Sequence, residues 1–208
     1  MNRTKQPMKA HDPGSDSLLI AQFLSGDTTA FETLINQYRQ RLYSYLCRMV
    51  SDSEAAKDLF QDVIVNVLKA LPKYREQRKF SNWLFSIAHN LAMNYIQKQK
   101  QKSAIILENT FSETDKELLS AWAVESFSPE EILKKKELQG ILKSSIEKLP
   151  IEQKQILLLR EYSGLPFKEI AQMLDCPLNT VLGRMRYALL NLRKIIQNDI
   201  GGDISDVL

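Results

Sequence analysis

Between Lys73 and Lys102 the basic residues Lys73, Arg75, Arg78, Lys79, Lys98, Lys100 and Lys102 stand against one acid, Glu76. Tyr74, Phe80, Trp83, Phe85 and Tyr95 are interleaved with them. Cations that follow phosphates, combined with flat rings that stack on bases, are the chemistry of single-strand nucleic-acid binding. Helical spacing gives Trp83 and Tyr95 a core reading as well. Phe85 fits the buried stripe less well, and Tyr74 and Phe80 fall in an expected loop.

The segment before this patch has a different surface. Asp58, Gln61, Asp62 and Asn66 recur at three- and four-residue steps, which places them on one exposed side of a helix. Such a stripe is ordinarily a solvated face. Beside a basic aromatic patch, it gives one small domain two chemically distinct surfaces and implies two partners.

A third surface lies near the C-terminus. Leu165 to Leu174 reads as a short helix with Pro166 near its start, and Asp175-Cys176-Pro177-Leu178 as a turn. Asn179 or Thr180 then caps a second helix, with Val181, Met185, Leu189, Leu192 and Ile196 as its expected buried stripe. Small Ala171 lets the two helices approach. The outer side carries Arg184, Arg186, Tyr187, Arg193 and Lys194, with no acid between Thr180 and Gln197. A short helix, a tight turn and a basic second helix make a helix-turn-helix for the major groove. Spacing alone also admits a plain helical hairpin with solvated arginines.

Bond-making chemistry has little support. His11 and His89 are isolated, no glycine-rich phosphate loop occurs, and no His, Cys and carboxylate cluster has metal spacing. No catalytic residue, cofactor or metal is expected, and His89 reads as a surface or DNA-facing residue. Cys47 and Cys176 are far apart, which fits a reducing compartment without a disulfide framework. The net charge of +3 is too small to identify a nucleic-acid binder by itself, so the clustering carries the argument.

These surfaces must be positioned by helices. Gly and Pro number 7 each, and alternating strand-like runs are scarce. A helix opening at Ser15–Asp16 ends at Gly26, and Asp27 caps a second that carries Phe31, Leu34, Ile35, Tyr38, Leu42, Tyr45 and Met49 inward. Ser51 and Glu54 have capping-box spacing for a third helix, which buries Ala55, Leu59, Val63 and Val67 and stops before Pro72. A fourth starts at Ser81, with Trp83, Leu84, Ile87, Leu91 and Tyr95 inward. The stretch 103–128 is acidic and reads as a linker, with a local helix around Leu118 to Val124. Ser128-Pro129-Glu130-Glu131 is a strong helix start, opening a second block that Pro150, Gly164–Pro166 and Pro177 divide.

The expected fold is therefore all-α: two small helical domains, 15–102 and 129–199, joined by a flexible acidic linker over 103–128. A mobile N-terminus, 1–14, and an acidic tail, 200–208, flank them. The N-terminal residues do not read as a signal peptide. The longest aliphatic run, Ile156 to Leu159, is far short of the roughly 20 residues that span a bilayer. No membrane insertion and a cytoplasmic location are expected.

Ordered motifs then bring in a family. Asp27-Thr28-Thr29-Ala30-Phe31, Ala56 to Val63 and Phe80 to Asn90 resemble region 2 of extracytoplasmic-function sigma factors. Leu149-Pro150, Leu157 to Tyr162, Lys168-Glu169-Ile170-Ala171, Thr180-Val181 and Leu192-Arg193 resemble region 4. The resemblance covers both blocks in order. It implies that Asp58, Gln61, Asp62 and Asn66 dock on the clamp helices of RNA polymerase core, with the flap as a further contact. It also implies that Tyr74, Arg75, Arg78, Lys79, Phe80, His89, Asn90, Asn94, Gln97 and Lys98 read and open the −10 element as single strand. Lys168, Asn179, Thr180, Leu182, Gly183, Arg184, Arg186 and Tyr187 would read the −35 element as duplex. The acidic linker would thread the polymerase cleft, and an anti-sigma factor is an implied partner.

Departures from the family pattern fall at His89, Asn94, Gln97, Leu182 and Gly183. Leu182 can meet a thymine methyl, and Gly183 lets the backbone approach DNA closely, so an unusual −35 preference is expected. The rival reading is a helix-turn-helix regulator acting on duplex DNA without polymerase. It would need neither the acidic face nor the melting patch, and it would usually dimerise.

Overall fold

The computed structural model describes residues 13–75, 79–105 and 129–200. Among these the chain forms α1 (Pro13–Leu24), α2 (Thr28–Val50), α3 (Ser53–Ala70), α4 (Phe80–Ile105), α5 (Pro129–Glu147), α6 (Ile151–Ser163), α7 (Phe167–Met173) and α8 (Leu178–Ile200). No strand occurs among the described residues. The linker expected at 103–128 lies outside them, apart from the last residues of α4, as do the N-terminus to residue 12 and the tail from 201.

Local chemistry sets the boundaries. Asp27 caps α2 by accepting from the Thr29 amide at 2.9 Å and from the Thr29 hydroxyl at 2.6 Å. At the other end Ser51 adopts φ 58, and its amide bonds back to the Cys47 carbonyl. The expected cap at Ser51 is displaced by one residue, and no capping box forms, because Ala55 stands where the reciprocal side chain would be. Ser51 already closes α2 in the left-handed conformation, so extended Asp52 is the cap, accepting from the amides of Glu54 and Ala55 at 3.0 and 3.2 Å. After Ala70 the chain tightens into a 3-10 turn over Leu71–Lys73, with Pro72 placed where its missing N–H costs nothing.

The apolar residues of α2 (Leu34, Tyr38, Leu42, Tyr45, Leu46 and Met49) face Ala56, Leu59, Val63 and Val67 of α3 and Leu84, Phe85, Ala88 and Ala92 of α4. Phe85 is fully buried, with its ring 5.6 Å from that of Tyr45, so it belongs to the stripe from which spacing had set it apart. Asp16 of α1 is buried too, and the Tyr38 hydroxyl donates to it at 2.5 Å.

In the second block Ile156, Leu158 and Leu159 of α6 share one core with Ile170 and Ala171 of α7 and Val181 of α8, and Ala188 of α8 is buried as well. The buried stripe of α8 differs from expectation: Leu189 is 51% exposed and Ala188 is buried. Seven residues complete nearly two helical turns, so Ala188, not Leu189, falls in line with Val181. Half-buried Met185 and Leu192 complete that line. The two blocks also touch: α6 lies along α2, and α7 meets the start of α4.

Candidate nucleic-acid interface

α3 turns Val63 and Val67 inward and leaves Asp58, Gln61, Asp62 and Asn66 all exposed on its outer side. Val65 and Leu68 are exposed among them, at 46% and 42%. Sequence reasoning missed these two. The signal was available, because Val63, Val65, Val67 and Leu68 are more apolar residues than one helical face can bury. The outcome is a surface mixing carboxylates with aliphatic side chains, suited to a partner that offers both cations and apolar area.

The basic aromatic patch assembles around the start of α4. Tyr74 stacks obliquely on Trp83 with ring centroids 4.7 Å apart, and Phe80 lies 5.7 Å from Trp83 and 6.0 Å from Tyr74. Tyr74 and Trp83 are half-buried, whereas Arg75 and Lys79 beside them are exposed. Arg78 lies outside the described residues. Along α4 the 3.6-residue period carries the stripe of Trp83 to Asn90, Asn94 and Gln97. Those three and Lys98 are exposed. An aromatic ledge thus continues into a row of amides that can hydrogen-bond to base edges.

Two expected members of this patch are corrected. Phe80 is 1% exposed and forms the floor under Tyr74 and Trp83. His89 is 6% exposed, with Nδ1 2.9 Å from the Tyr45 hydroxyl. Burial pushes its pKa down to about 4, so the ring is neutral at pH 7. Neither side chain offers a surface to DNA in this conformation. A histidine reads as exposed from its polarity, but its partner Tyr45 is distant in the chain and invisible to local pattern.

α7 and α8 form the helix-turn-helix. Arg160 of α6 fixes its corner by donating to the Leu165 carbonyl at 2.6 Å, with its guanidinium 5.0 Å from the Phe167 ring centre. The turn passes through Asp175 at φ 46, a left-handed position that aspartate tolerates. The Cys176 amide returns to the Ala171 carbonyl at 3.0 Å. Asn179 and Thr180, expected as caps, instead sit in the first turn of α8, where the Thr180 amide bonds to the Pro177 carbonyl at 2.9 Å.

On the outer side of that turn Lys168, Asn179, Leu182, Arg186 and Tyr187 are exposed, and Thr180, Gly183 and Arg184 half-exposed. Leu178, which sequence reasoning did not single out, is 41% exposed beside Leu182 at 43%. A Cβ built on Gly183 meets nothing within 4 Å, so packing does not demand a glycine there. The Asn191 amide donates to Gln153 at 2.9 Å and holds the later part of α8 against α6. Among the described residues no group of three or more His, Cys, Asp and Glu could hold a metal ion, and no helix is long and apolar enough to cross a membrane.

Comparison with known proteins follows the same division. Residues 34–102 match the family model for sigma-70 region 2, and 139–192 the model for sigma-70 region 4. The RNA polymerase sigma-H factor of Pseudomonas aeruginosa is 30% identical over 186 residues, 88% of this chain and 94% of that protein. The ECF RNA polymerase sigma-E factor of Escherichia coli is 31% identical over 193 residues, 89% of this chain and 94% of that one. Among solved structures, CnrH in complex with the cytosolic domain of CnrY aligns with a TM-score of 0.62 at 21% identity, over 89% of this chain and 99% of that one. The sigma factor RpoE of Bartonella quintana, in complex with the anti-sigma factor NepR, aligns at 0.61 and 16% identity, over 80% of this chain and 96% of that one. These two likenesses concern the fold.

Proposed function

Because the chain belongs to the extracytoplasmic-function group of sigma-70 RNA polymerase sigma factors, we propose that its three surfaces divide the work of promoter recognition among them. The outer side of α3, with Asp58, Gln61, Asp62 and Asn66, docks on the clamp helices of the polymerase core. Val65 and Leu68 add apolar area to that contact. Tyr74, Trp83, Arg75, Lys79, Asn90, Asn94, Gln97 and Lys98 take the −10 strand, stacking and hydrogen-bonding to bases as the duplex opens. Lys168, Asn179, Thr180, Leu182, Gly183, Arg184, Arg186 and Tyr187 read the −35 element as duplex.

The observation that carries this reading is the pairing of opposite chemistries on one bundle. A carboxylate-rich outer side on α3 stands beside an amide and aromatic strip on α4. A regulator that only grips duplex DNA has no use for the first surface. The chain supplies binding energy and strand separation, and polymerase performs the bond chemistry. The expected site of action is the cytoplasm, where polymerase works. An anti-sigma partner is part of the proposal, supported by the Bartonella quintana sigma factor, which was solved with one.

The exposed pair Leu178 and Leu182, with bare backbone at Gly183, gives the −35 reader an apolar centre between Asn179 and Arg186. Apolar side chains favour thymine methyls in the major groove. Run-off transcription from fragmented genomic DNA with core polymerase tests the reading. The chain is expected to redirect initiation to a defined set of start sites. Duplex binding without redirected initiation would instead favour a regulator that acts without polymerase.

A further inference from the structure

α8 is longer than its reading end. Its 23 residues make a rod of about 34 Å at about 1.5 Å per residue, whereas the major groove is about 12 Å wide. The residues proposed to read the −35 element stop at Tyr187. Beyond them the same outer side continues, and the helical period sets Leu189, Leu190, Arg193 and Lys194 along it. Leu189 is 51% exposed and Leu190 52%, and both cations are exposed as well. Neither the promoter contacts proposed above nor the helix packing employs these four.

The patch lacks counter-charge of its own. No acid stands between Thr180 and Gln197, and Asp199, near the end of α8, is held by Lys148 at 2.8 Å. Two aliphatic side chains beside two cations suit an occupant that carries apolar side chains with carboxylates between them.

The chain itself supplies such a segment next door. α8 ends at Ile200, and Gly201-Gly202-Asp203-Ile204-Ser205-Asp206-Val207-Leu208 follows. The glycine pair permits a reversal of direction. Ile204, Val207 and Leu208 recur at three- and four-residue steps, with Asp203 and Asp206 between and beside them, and the segment has no cation. Its reach is sufficient. Leu190 lies ten residues before Ile200, about 15 Å along the helix axis, and the extended segment spans about 26 Å.

We propose that the acidic segment 201–208 folds back over the outer side of α8. Ile204, Val207 and Leu208 then cover Leu189 and Leu190, and Asp203 and Asp206 pair with Arg193 and Lys194. Seated there, the segment restrains the −35 reader. Its carboxylates cancel positive potential that would otherwise attract duplex phosphates, and it must leave before α8 lies fully against DNA. The restraint rests on the −35 reading, whereas the cover itself does not.

Methyl NMR on the full chain tests the cover. Nuclear Overhauser effects are expected between the methyls of Leu189 and Leu190 and those of Ile204, Val207 and Leu208. They should vanish in Ile204→Ser/Val207→Ser/Leu208→Ser, which alters neither the net charge nor any residue of the helices. Absence of these effects in the wild type overturns the cover. So does their appearance only between differently labelled copies in a mixed sample, which would make the occupant a second molecule.

Duplex affinity then tests the restraint. The probe is a duplex that the triple variant selects from a random library, titrated into both proteins and followed by fluorescence anisotropy. The variant is expected to bind at least about threefold more tightly than the wild type, because the uncovered fraction of the chain rises toward one. With the net charge unchanged, such a gain cannot come from a new attraction to phosphate. Intramolecular contacts with equal affinities overturn the restraint and leave the cover in place. Failure of both proteins to select any duplex overturns the −35 reading and the restraint with it, and the NMR result then decides the cover alone.

Discussion

The Tyr45 hydroxyl lies 2.9 Å from Nδ1 of His89, joining α2 to α4 through the middle of the first bundle. Both side chains are buried, and each excludes charge: burial raises the pKa of the tyrosine and lowers that of the histidine. The pair is a polar bridge in an apolar layer, close behind the helix surface proposed to meet the −10 strand.

This bridge makes stability depend on pH. The folded histidine takes up a proton only near pH 4, whereas the unfolded chain does so near 6.5. Between those values the unfolded state binds more protons, so the contribution is complete above about 6.5 and is lost as pH falls toward 4. The full loss is about 3 kcal/mol. Urea unfolding between pH 7 and 5 should show a falling midpoint. In Tyr45→Phe/His89→Leu, which removes both polar groups, the slope in that window should largely disappear.

Asp62→Arg tests the outer side of α3. The residue is exposed, so stability should change by no more than about 0.5 kcal/mol. Pull-down and native gels with core polymerase should show binding abolished, with −35 duplex binding kept. Normal polymerase binding by this variant would remove Asp62 from the docking surface.

Gly183→Ala separates folding from reading. No atom lies where the new methyl would go, so thermal unfolding should show a gain of up to about 1 kcal/mol. Affinity for −35 duplexes should fall if the helix backbone approaches DNA at this point. A variant that is stabilised and reads the same sequences would show that the glycine has no part in recognition.

Asp52→Ala removes a cap that accepts from two amides and receives a longer contact from the Tyr95 hydroxyl at 3.4 Å. The expected cost is about 1 kcal/mol, measured by denaturant unfolding. Ser51→Ala should cost α3 nothing in capping, since Ser51 does not cap it.

Periodicity disclosed what lies along single helices. The exposed row Asp58, Gln61, Asp62 and Asn66 and the outer side of α8 were readable because one helical period orders them. The miss at Leu189 has the same origin: seven- and eight-residue steps both look helical, and only the folded packing selects Ala188. Residues whose surroundings come from another helix were less legible. His89 and Phe80 carry the composition of a surface patch, yet Tyr45 and Tyr38 close over them. Across the contact of α6 with α2, Arg41 donates to the Tyr162 carbonyl and Lys154 to the Ser51 hydroxyl, and both are long basic side chains of the sort that local pattern assigns to solvent.

The open space around Gly183 has a consequence for the history of such chains. Where packing constrains a position, most replacements are removed because the protein unfolds. Here folding exerts no such veto, so duplicated copies can drift at this one residue without losing their shape. Under the −35 role proposed for α8, a single codon change there would alter the promoters read before the rest of the helix diverges.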